Sequence, residues 1–367
     1  MCEQCIYNME ELFMITVYDN YNNKHIKFND NTKYVYVVTS IKTTPEGFSY
    51  LSSDNKSEEF IELVKLGKNI IITSVMFYML PKDSIKYLHD YELVIDCLIL
   101  PFNVMYVDKQ DIDMLCDSSY ISLVNNDIIW DKYPYNGTFS YLCREATHKK
   151  VSLVNNKVQI SQPHTYVFTS FRDSYIYTKM FNGQLLKYYF ELNNIVYNVV
   201  SNDKIDLSGI HILNDYKLNI IGKQKTALSK NWLKTNDLEQ LRKHTRNFIR
   251  NKMTKLSGDK YSSKSCVWTT YKEFYDKLRD KGYSKHYKNI LNEEYTGSNG
   301  VAYIANIFIN SFIKSYLDSN GVNTNNDEYA LSMLLNFLYT CDINDLYVYL
   351  PSKRMRDLLT AYIEQNS

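Results

Sequence analysis

One short strand constrains the fold of this chain more than any other stretch. Residues 92–99 begin with Glu92, continue as an apolar run and then reach Asp96. A run of this kind is typical of a buried parallel strand that delivers a charged side chain to the carboxyl edge of a sheet. Ligands of open α/β sheets bind at that edge. The stretch therefore predicts an α/β fold with a candidate ligand position at Asp96.

The residues before and after this strand continue the alternation of strands and helices. Because strands that alternate with helices form parallel sheets, residues 1–160 are predicted to form one α/β lobe. The predicted strands are 13–18, 34–39, 69–73 and 92–99, the predicted helices are 57–66, 85–88 and 108–119, and a hairpin is predicted at 124–130.

Residues 161–367 are predicted to form a second α/β lobe, in which residues 226–290 make a basic helical segment. Short apolar runs again indicate strands, and apolar residues at three- and four-residue spacing indicate helices. The predicted strands are 166–170, 196–200, 211–213, 217–221 and 347–350, and the predicted helices are 173–192, 301–317, 327–340 and 354–364.

Composition limits the environment of the protein. Seven scattered cysteines, an odd number, favour a reducing compartment, and the single C-x-x-C of Cys2 and Cys5 has no second pair at zinc spacing. No apolar run approaches the ~18 residues of a membrane span, and no signal pattern opens the sequence. We expect a cytoplasmic protein without a metal site or membrane contact. The 34 tyrosines, with many Asn, Lys and Ile, indicate an A/T-rich coding sequence and predict a phage, a virus (and then the host cytoplasm) or a low-GC bacterium.

A run of cations without an acid, between residues 240 and 258, is the most informative charge feature. The formal net charge of the whole chain is only +1, so affinity for nucleic acid requires a local patch of this kind. Trp268 and Tyr271 follow and could stack on bases, although core packing explains Trp268 equally well, and a solvated helix face explains the cations. The candidate phosphate-binding cations are Arg242, Lys243, Arg246, Arg250 and Lys252.

Motifs of nucleotide hydrolysis are incomplete. No G-x-x-x-x-G-K-[ST] loop precedes Asp96, and the nearest later match, residues 258–265, follows a basic helix and is better explained as a solvated loop. The histidines show no metal-binding spacing, and no G-x-S-x-G is present. The sequence therefore gives no complete catalytic motif.

Several segments resemble superfamily 2 (DEAD/DEAH-related) helicases of phages and Gram-positive mobile elements. The resemblance implies two RecA-like lobes that close on ATP and bind nucleic acid. It implies a Mg²⁺-ligand position at Asp96, and nucleic-acid or lobe-coupling contacts at Thr39, Thr169 and Ser170. The segments that carry it are Gly67–Ser74, Tyr91–Leu98, Lys217–Trp232, Val267–Lys285, Ala302–Asn310 and Leu350–Leu359.

This chain departs from the helicase pattern at three elements. The phosphate loop that should precede residue 33 is missing, Cys97 stands where the family has its water-activating glutamate, and residues 337–343 contain no arginine. Phosphoryl transfer depends on positioning and charge stabilisation, so these losses together should abolish turnover. We expect a truncated or degenerate first lobe, and no cofactor; ATP and Mg²⁺ would bind only if the losses are compensated.

The resulting functional expectation is a helicase-like protein that binds single-stranded or duplex nucleic acid, with replication proteins as further candidate partners, and does not hydrolyse ATP. Two alternatives stay open. The first is an active helicase completed by a phosphate loop from another polypeptide. The second is a protein-interaction or inhibitory module that binds no nucleic acid.

Overall fold

A computed structural model describes residues 14–19, 26–42, 44–155, 157–201 and 206–366. Cys2 and Cys5 lie outside these residues. The chain divides into two compact units, and each is built from more than one segment. The first unit consists of Met1–Phe181, Leu185–Asn202 and Asn310–Thr324, and the second consists of Asn182–Gln184, Asp203–Ile309 and Asn325–Ser367.

Sixteen strands are described. They are β1 (Met14–Asp19), β2 (Lys33–Val38), β3 (Phe48–Tyr50), β4 (Asn69–Thr73), β5 (Tyr91–Ile95), β6 (Asn103–Tyr106), β7 (Ile121–Val124), β8 (Asp127–Trp130), β9 (Lys149–Asn155), β10 (Val158–Pro163), β11 (Asp173–Thr178), β12 (Asn198–Ser201), β13 (Ile210–Ile212), β14 (Cys266–Thr269), β15 (Gly300–Tyr303) and β16 (Leu346–Tyr349).

Fifteen α-helical segments are described. They are α1 (Lys56–Lys65), α2 (Ser74–Phe77), α3 (Ile85–Leu88), α4 (Lys109–Asp117), α5 (Ser140–His148), α6 (Tyr166–Thr169), α7 (Leu185–Leu192), α8 (Tyr216–Asn219), α9 (Lys230–Thr235), α10 (Glu239–Asn247), α11 (Met253–Leu256), α12 (Tyr275–Leu278), α13 (Ser311–Ser319), α14 (Asn326–Leu338) and α15 (Lys353–Asn366). A single π-helical turn, Phe248–Lys252, joins α10 to α11.

The first unit is organised around a parallel sheet in the order β12-β1-β11-β5-β2-β4-β3. Its seven strands are rich in Val and Ile, and Val17, Val35 and Leu93 on one face are fully buried. Helices α1 and α3 pack on this sheet beside β4 and β5. Such continuous apolar strands are typical of sheets whose strands are buried by crossover helices.

The opposite face of this sheet carries tyrosines at alternate positions. Register pairs Tyr18 of β1 with Tyr177 of β11, and Tyr36 of β2 with Val94 of β5, so these side chains share one face. The rings of Tyr18 and Tyr177 stack with centroids 5.0 Å apart. Tyr18, Tyr36 and Tyr177 are only half-buried. We call this the tyrosine face.

An antiparallel sheet in the order β6-β10-β9-β8-β7 lies between β5 and β11 in the chain. The second unit contains a parallel sheet in the order β13-β16-β15-β14. Its core includes Trp268, Tyr349 and Phe248, which are fully buried. The α/β class with parallel sheets is therefore confirmed, whereas the finer assignment of two RecA-like lobes stays a prediction.

The boundary predicted between residues 160 and 161 requires correction. It falls inside β10, whose residues pair with both β6 and β9, so the chain cannot be divided there without splitting a sheet. The structure assigns β11 and α7 to the first unit and changes to the second unit after residue 202. The predicted basic helical segment 226–290 is also interrupted, because residues 266–269 form β14.

Four predicted elements were wrong in type. Residues 166–170 form the short helix α6 where a strand was predicted, and 217–221 lie in α8 and a 3₁₀ turn. Conversely, the predicted helices at 173–192 and 301–317 begin with strands β11 and β15. β15 is buried at every position, and a fully buried run gives no alternation by which a strand can be recognised.

Candidate functional site

The carboxyl edge of the first unit's parallel sheet gathers ionisable side chains from neighbouring strands. Asp19 ends β1, Lys179 follows β11 and Asp96 follows β5, and β11 lies between the other two strands. The chain leaves β2 toward β3 and β4 on one side and leaves β5 toward β11 on the other. A reversal of this kind opens a crevice at the carboxyl ends of the strands, where ligands of α/β sheets bind.

Asp96 is held by the neighbouring strand β2. Its backbone N–H donates to the Val37 carbonyl at 3.0 Å, and the Tyr36 hydroxyl donates to its Oδ2 at 2.9 Å. Burial raises the pKa of Asp96, and the Tyr36 hydrogen bond and the Lys179 charge oppose that rise. Burial and the adjacent Asp96 charge raise the pKa of Tyr36, so its hydroxyl remains a donor.

Lys179 is the cation of this edge. Burial lowers its pKa to about 8, while the charges of Asp96 and Asp19 favour its ammonium form. The lysine is therefore charged near neutral pH and deprotonates within the range of mildly alkaline buffers. A lysine that is desolvated beside two carboxylates is the pattern expected of a functional site, although structural ion pairs also produce it.

The turn after β11 fixes Asp19. The backbone N–H of Phe181 donates to Asp19 Oδ1 at 3.0 Å. Between Lys179 and Phe181, Met180 has a φ of 51°, in the left-handed region that non-glycine residues rarely occupy. Such residues persist where the surrounding structure holds them, and they cluster at functional sites.

This geometry revises the role expected for Asp96. The predicted Mg²⁺ position does lie at the carboxyl edge, but the described neighbours of the carboxylate include the Tyr36 hydroxyl and the Lys179 ammonium, which are not metal ligands. Among the described residues, no group of three or more His, Cys, Asp or Glu could hold a metal ion. The donor set does not fit a magnesium–ATP site.

Lys179 was missed by the sequence analysis because residues 173–192 were predicted as one helix. The alternation Asp173-Ser174-Tyr175-Ile176-Tyr177-Thr178 was the available signal, since side chains of one strand face alternate with a period of two. Asp19 could have been found from its place directly after the predicted strand 13–18.

Of the remaining first-unit candidates, Thr39 lies at this edge because it directly follows β2, whereas Thr169 and Ser170 precede β11. Thr39 follows β2 and is exposed. Thr169 and Ser170 lie in and after α6, where the Thr169 hydroxyl donates to the Thr165 carbonyl at 3.2 Å. The prediction that Thr169 and Ser170 end a strand is therefore wrong, because residues 166–169 are helical.

The basic segment of the second unit folds as predicted on its apolar side. Leu241, Phe248, Ile249 and Met253 are fully buried. Most of its candidate cations, however, have acidic partners in the folded protein. The ion pairs are Arg242 and Lys243 with Glu239, Arg246 with Asp280 at 2.6 Å, and Lys252 with Asp215 at 2.6 Å.

Arg250 is the exception. It is exposed, and it makes no ion pair with any residue in the described part of the chain. Its guanidinium lies over the backbone of Gly282, since a Cβ added there would be 2.9 Å from Arg250 Nε. Arg246 also reaches this segment through Asp280, and the exposed Lys281 lies between Asp280 and Gly282 in the chain. We call Arg250 and Lys281 the cationic surface.

The two aromatic candidates are core residues. Trp268 is fully buried in β14, and its ring contacts those of Tyr283 and Tyr287. Tyr271 packs on the same core and donates its hydroxyl to the Asn306 carbonyl at 2.7 Å. Base stacking by Trp268 is wrong for this conformation, because a base needs an accessible ring face, whereas base stacking by the half-buried Tyr271 stays a prediction.

Two comparisons with known proteins place the chain in a family. Residues 205–363 match the model described as the YonV C-terminal Rossmann-like domain. The chain is also 30% identical, over 385 aligned residues, to the SPbeta prophage-derived uncharacterized protein YonV of Bacillus subtilis (strain 168). That alignment covers 93% of this chain and 92% of the relative. The chain belongs to the YonV family.

The YonV family match accounts for the second parallel sheet as a Rossmann-like domain. Neither comparison names a superfamily 2 helicase, so that resemblance stays a prediction. Within the described residues, no helix is both long and apolar enough to cross a membrane.

The sign of the formal charge differs between the YonV C-terminal domain and the rest of the chain. Residues 205–363 contain 23 lysines and arginines against 16 acidic residues, a formal charge of +7. The rest of the chain contains 19 against 25, a formal charge of −6. The near-neutral total therefore hides a strong asymmetry, which a charge count by predicted lobe would have revealed.

Proposed function

We propose that the Rossmann-like domain binds the phosphate backbone of single-stranded or duplex nucleic acid, in the life of a prophage-type element. The observation that carries this proposal is the +7 charge of residues 205–363 in a chain whose remainder is acidic. A basic domain of this kind binds polyanions largely by releasing their counterions, without reading sequence.

The cationic surface is the proposed point of contact. Arg250 is exposed without an acidic partner in the described chain, whereas the charges of Arg242, Lys243 and Lys252 are already opposed by Glu239 and Asp215. Free cations gain more from a phosphate than paired ones, because paired cations must first lose their partner. Arg246 is also paired, with Asp280, so this reasoning narrows the five cations of the sequence prediction to Arg250.

The proposal needs no ATP turnover. Asp96 lies beside a lysine and a tyrosine, and Cys97 is a buried thiol where a helicase would carry its catalytic glutamate. The prophage context is supported by the name of the relative, which belongs to that protein.

The test is a salt titration with two matched variants. Labelled single-stranded DNA, single-stranded RNA and duplex DNA are titrated at salt concentrations of about 50 and 200 mM. We expect Arg250→Glu/Lys281→Glu to lower affinity at least about tenfold at the lower salt and to reduce the slope of log K against log salt by about 2. Lys86→Glu/Lys109→Glu changes the net charge equally on exposed residues of the acidic unit and should have little effect.

The other possible results of this titration discriminate between the remaining classes of function. Equal losses for both variants would mean that net charge, and not the cationic surface, sets the affinity. Absence of binding to all three probes at the lower salt would overturn the proposal in favour of a protein-interaction module. Affinity that changes on adding ATP and Mg²⁺ would favour the helicase alternative.

A further inference from the structure

We propose that the end of the β9–β10 ladder, where β9 begins and β10 ends, binds a phosphate dianion, free or as a phosphomonoester, through His148, His164 and Lys82. The site lies in the first unit, within the antiparallel sheet and the turn before α3. It shares no residue with the cationic surface or with the carboxyl edge of the parallel sheet, and it is therefore independent of the nucleic-acid contact proposed above.

The ladder between β9 and β10 brings the two histidines together. Its last pair is Lys149 with Pro163, and His148 precedes Lys149 while His164 follows Pro163. In an antiparallel ladder, the residues beyond the last pair are the next neighbours across the strands. The charge of His148 contributes to lowering the pKa of His164, as expected of such neighbours. Two half-buried imidazoles therefore meet at this end of the sheet.

A hydrogen bond places a lysine beside this pair. The Tyr166 hydroxyl donates to the Leu80 carbonyl at 2.8 Å, and the ring of His164 stacks on that of Tyr166 with centroids 5.5 Å apart. Lys82 lies two residues after Leu80, is exposed, and forms no ion pair within the described part of the chain. Its charge also lowers the pKa of His164. Lys82 is therefore a cation near His164 that no described acid balances.

The carboxylates of this region are already balanced by lysines. Glu145 is buried and accepts hydrogen bonds from the Lys149 ammonium at 2.9 Å and the Ser161 hydroxyl at 2.6 Å. Lys150 is paired with Asp127 at 3.3 Å. Each acid thus has its own cation, and neither acid supplies a counter-ion for a protonated histidine.

The two imidazoles have hydrogen-bonding nitrogens to offer a ligand. The rings of His148 and His164 form no hydrogen bond or ion pair with any residue that the structure describes. Burial lowers the pKa of both rings. A protonated imidazole donates from both nitrogens, and charged donors make the stronger hydrogen bonds to phosphate oxygens. A bound dianion would therefore favour protonation of both rings and accept from their N–H groups.

The charged groups that act on the two rings come from three elements, and only one of the groups is acidic. They are Arg144 and Glu145 on α5, Lys149 and Lys150 at the start of β9, and Lys82 in the 3₁₀ turn before α3. Because Glu145 is paired with Lys149, the local field attracts an anion and repels a metal cation. Among the residues that the structure describes, no three His, Cys, Asp or Glu could hold a metal ion.

The experiment is a calorimetric titration of the full chain with sulfate, inorganic phosphate and glycerol 3-phosphate. Sulfate is the probe for pH dependence, because it stays a dianion while histidine titrates. The variants are His148→Gln/His164→Gln, which removes both titrating rings, and Lys82→Met. The matched control is His89→Gln/Lys86→Met, which removes an exposed histidine and an exposed lysine elsewhere in the same unit.

Sulfate affinity should rise as pH falls, since the bound anion raises the histidine pKa values that burial lowers. The unchanged protein should bind at least about tenfold more tightly at about pH 5.5 than at about pH 8. His148→Gln/His164→Gln should weaken binding at the lower pH and abolish this pH dependence. Lys82→Met should weaken binding about three- to tenfold and keep the pH dependence. The control should match the unchanged protein in both respects.

The two phosphate probes identify the source of the anion. Equal affinity for both would assign the site to the free anion, whereas tighter binding of glycerol 3-phosphate would assign it to a phosphomonoester.

Three results would overturn the site. The first is no saturable binding of any of the three anions at the lower pH. The second is an equal loss for the control and the histidine variant, since overall charge would then explain the affinity. The third is binding of Zn²⁺ in place of sulfate, abolished in the histidine variant. Thermal melting without anion reports folding of each variant, and His164→Gln alone keeps the test decisive where the double variant does not fold.

Discussion

The carboxyl edges of the two parallel sheets of this protein carry different kinds of polar cluster. In the first unit, the edge carries Asp96 and Lys179, whose pKa values are shifted by burial. In the second unit, the edge is filled by Arg354, a buried arginine whose guanidinium donates to Asn306 Oδ1, the Ile307 carbonyl, the Asn326 carbonyl and Asp327.

The loop beside this second edge is also fixed, by hydrogen bonds and by a close backbone approach. The amide of Asn306 donates to the carbonyls of Lys225 and Ala227 at 2.9 and 2.8 Å, and a Cβ on Gly222 would lie 1.7 Å from the Pro351 carbonyl oxygen. The same architecture thus supports either a saturated hydrogen-bond network or a group of ionisable side chains. Around Arg354 the buried polar groups at the strand ends are hydrogen-bonded within the fold, as buried polar groups usually are.

The largest expected effect is the loss of the Arg354 network. Arg354→Met should lower the free energy of unfolding by about 3–5 kcal/mol, because Asp327 and buried acceptors lose their partner. Urea denaturation measures this change. The control is Arg279→Met, whose exposed ion pair with Asp276 should contribute within about 0.5 kcal/mol. Similar values for the two variants would remove the distinction between the edges.

A smaller loss is expected from Gly222→Ala. The added methyl group would meet the Pro351 carbonyl, and the backbone shift should cost about 1–3 kcal/mol. Gly258→Ala is the matched control, since nothing lies within 4 Å of its Cβ and only its φ of 59° is unfavourable. Its cost should stay near about 1 kcal/mol. If Gly258→Ala proved the more destabilising of the two, the close approach at Gly222 would not be a constraint.

At the first edge, a substitution that neutralises the Asp96 carboxylate should hardly change stability. Asp96→Asn should alter the free energy of unfolding by no more than about 1 kcal/mol, with the variant the more stable, because burial disfavours the carboxylate and the amide is neutral. Chemical denaturation at pH 7 tests the sign. A loss as large as that of Arg354→Met would make Asp96 a structural residue.

The smallest expected change in stability concerns the cations that form ion pairs in the folded protein. Lys252 holds the pKa of Asp215 below its usual range, so this pair stabilises the protein above the unfolded pKa of about 4 and is lost as pH falls through the lower folded value. Lys252→Met should cost about 0.5 kcal/mol at pH 7 and weaken the acid dependence. Lys243→Met, with Glu239 at 3.5 Å, should change less. Stability profiles between pH 2 and 7 compare them.

Features carried by a single strand could be predicted from the sequence, whereas contacts between strands that are distant in the chain could not. Asp96 and Tyr34–Val38 were recognisable, because apolar runs identify buried strands. The partnership of Asp96 with Lys179 was not, since the 77 residues between β5 and β11 contain a separate antiparallel sheet before β11 returns beside β5.

In the basic segment, too, one feature could be predicted from the sequence and another could not. Its apolar side, with Phe248 and Met253, follows from helical spacing. Its charge does not, because the acids that pair with Arg246 and Lys252 are Asp280 and Asp215, which are 34 and 37 positions away. Trp268 was open to two interpretations in the sequence, and only its full burial in β14 decides between them.

The return of α13 to the first unit has a consequence for synthesis on the ribosome. Phe312 of this helix contacts Tyr106, and the Tyr316 hydroxyl accepts a hydrogen bond from the Gln162 amide at 3.0 Å. The first unit therefore cannot be completed until residues 310–324 have emerged, although its sheet ends more than a hundred positions earlier. Completion of the first unit therefore waits until most of the second unit has been synthesised, which departs from the usual vectorial order of domain folding.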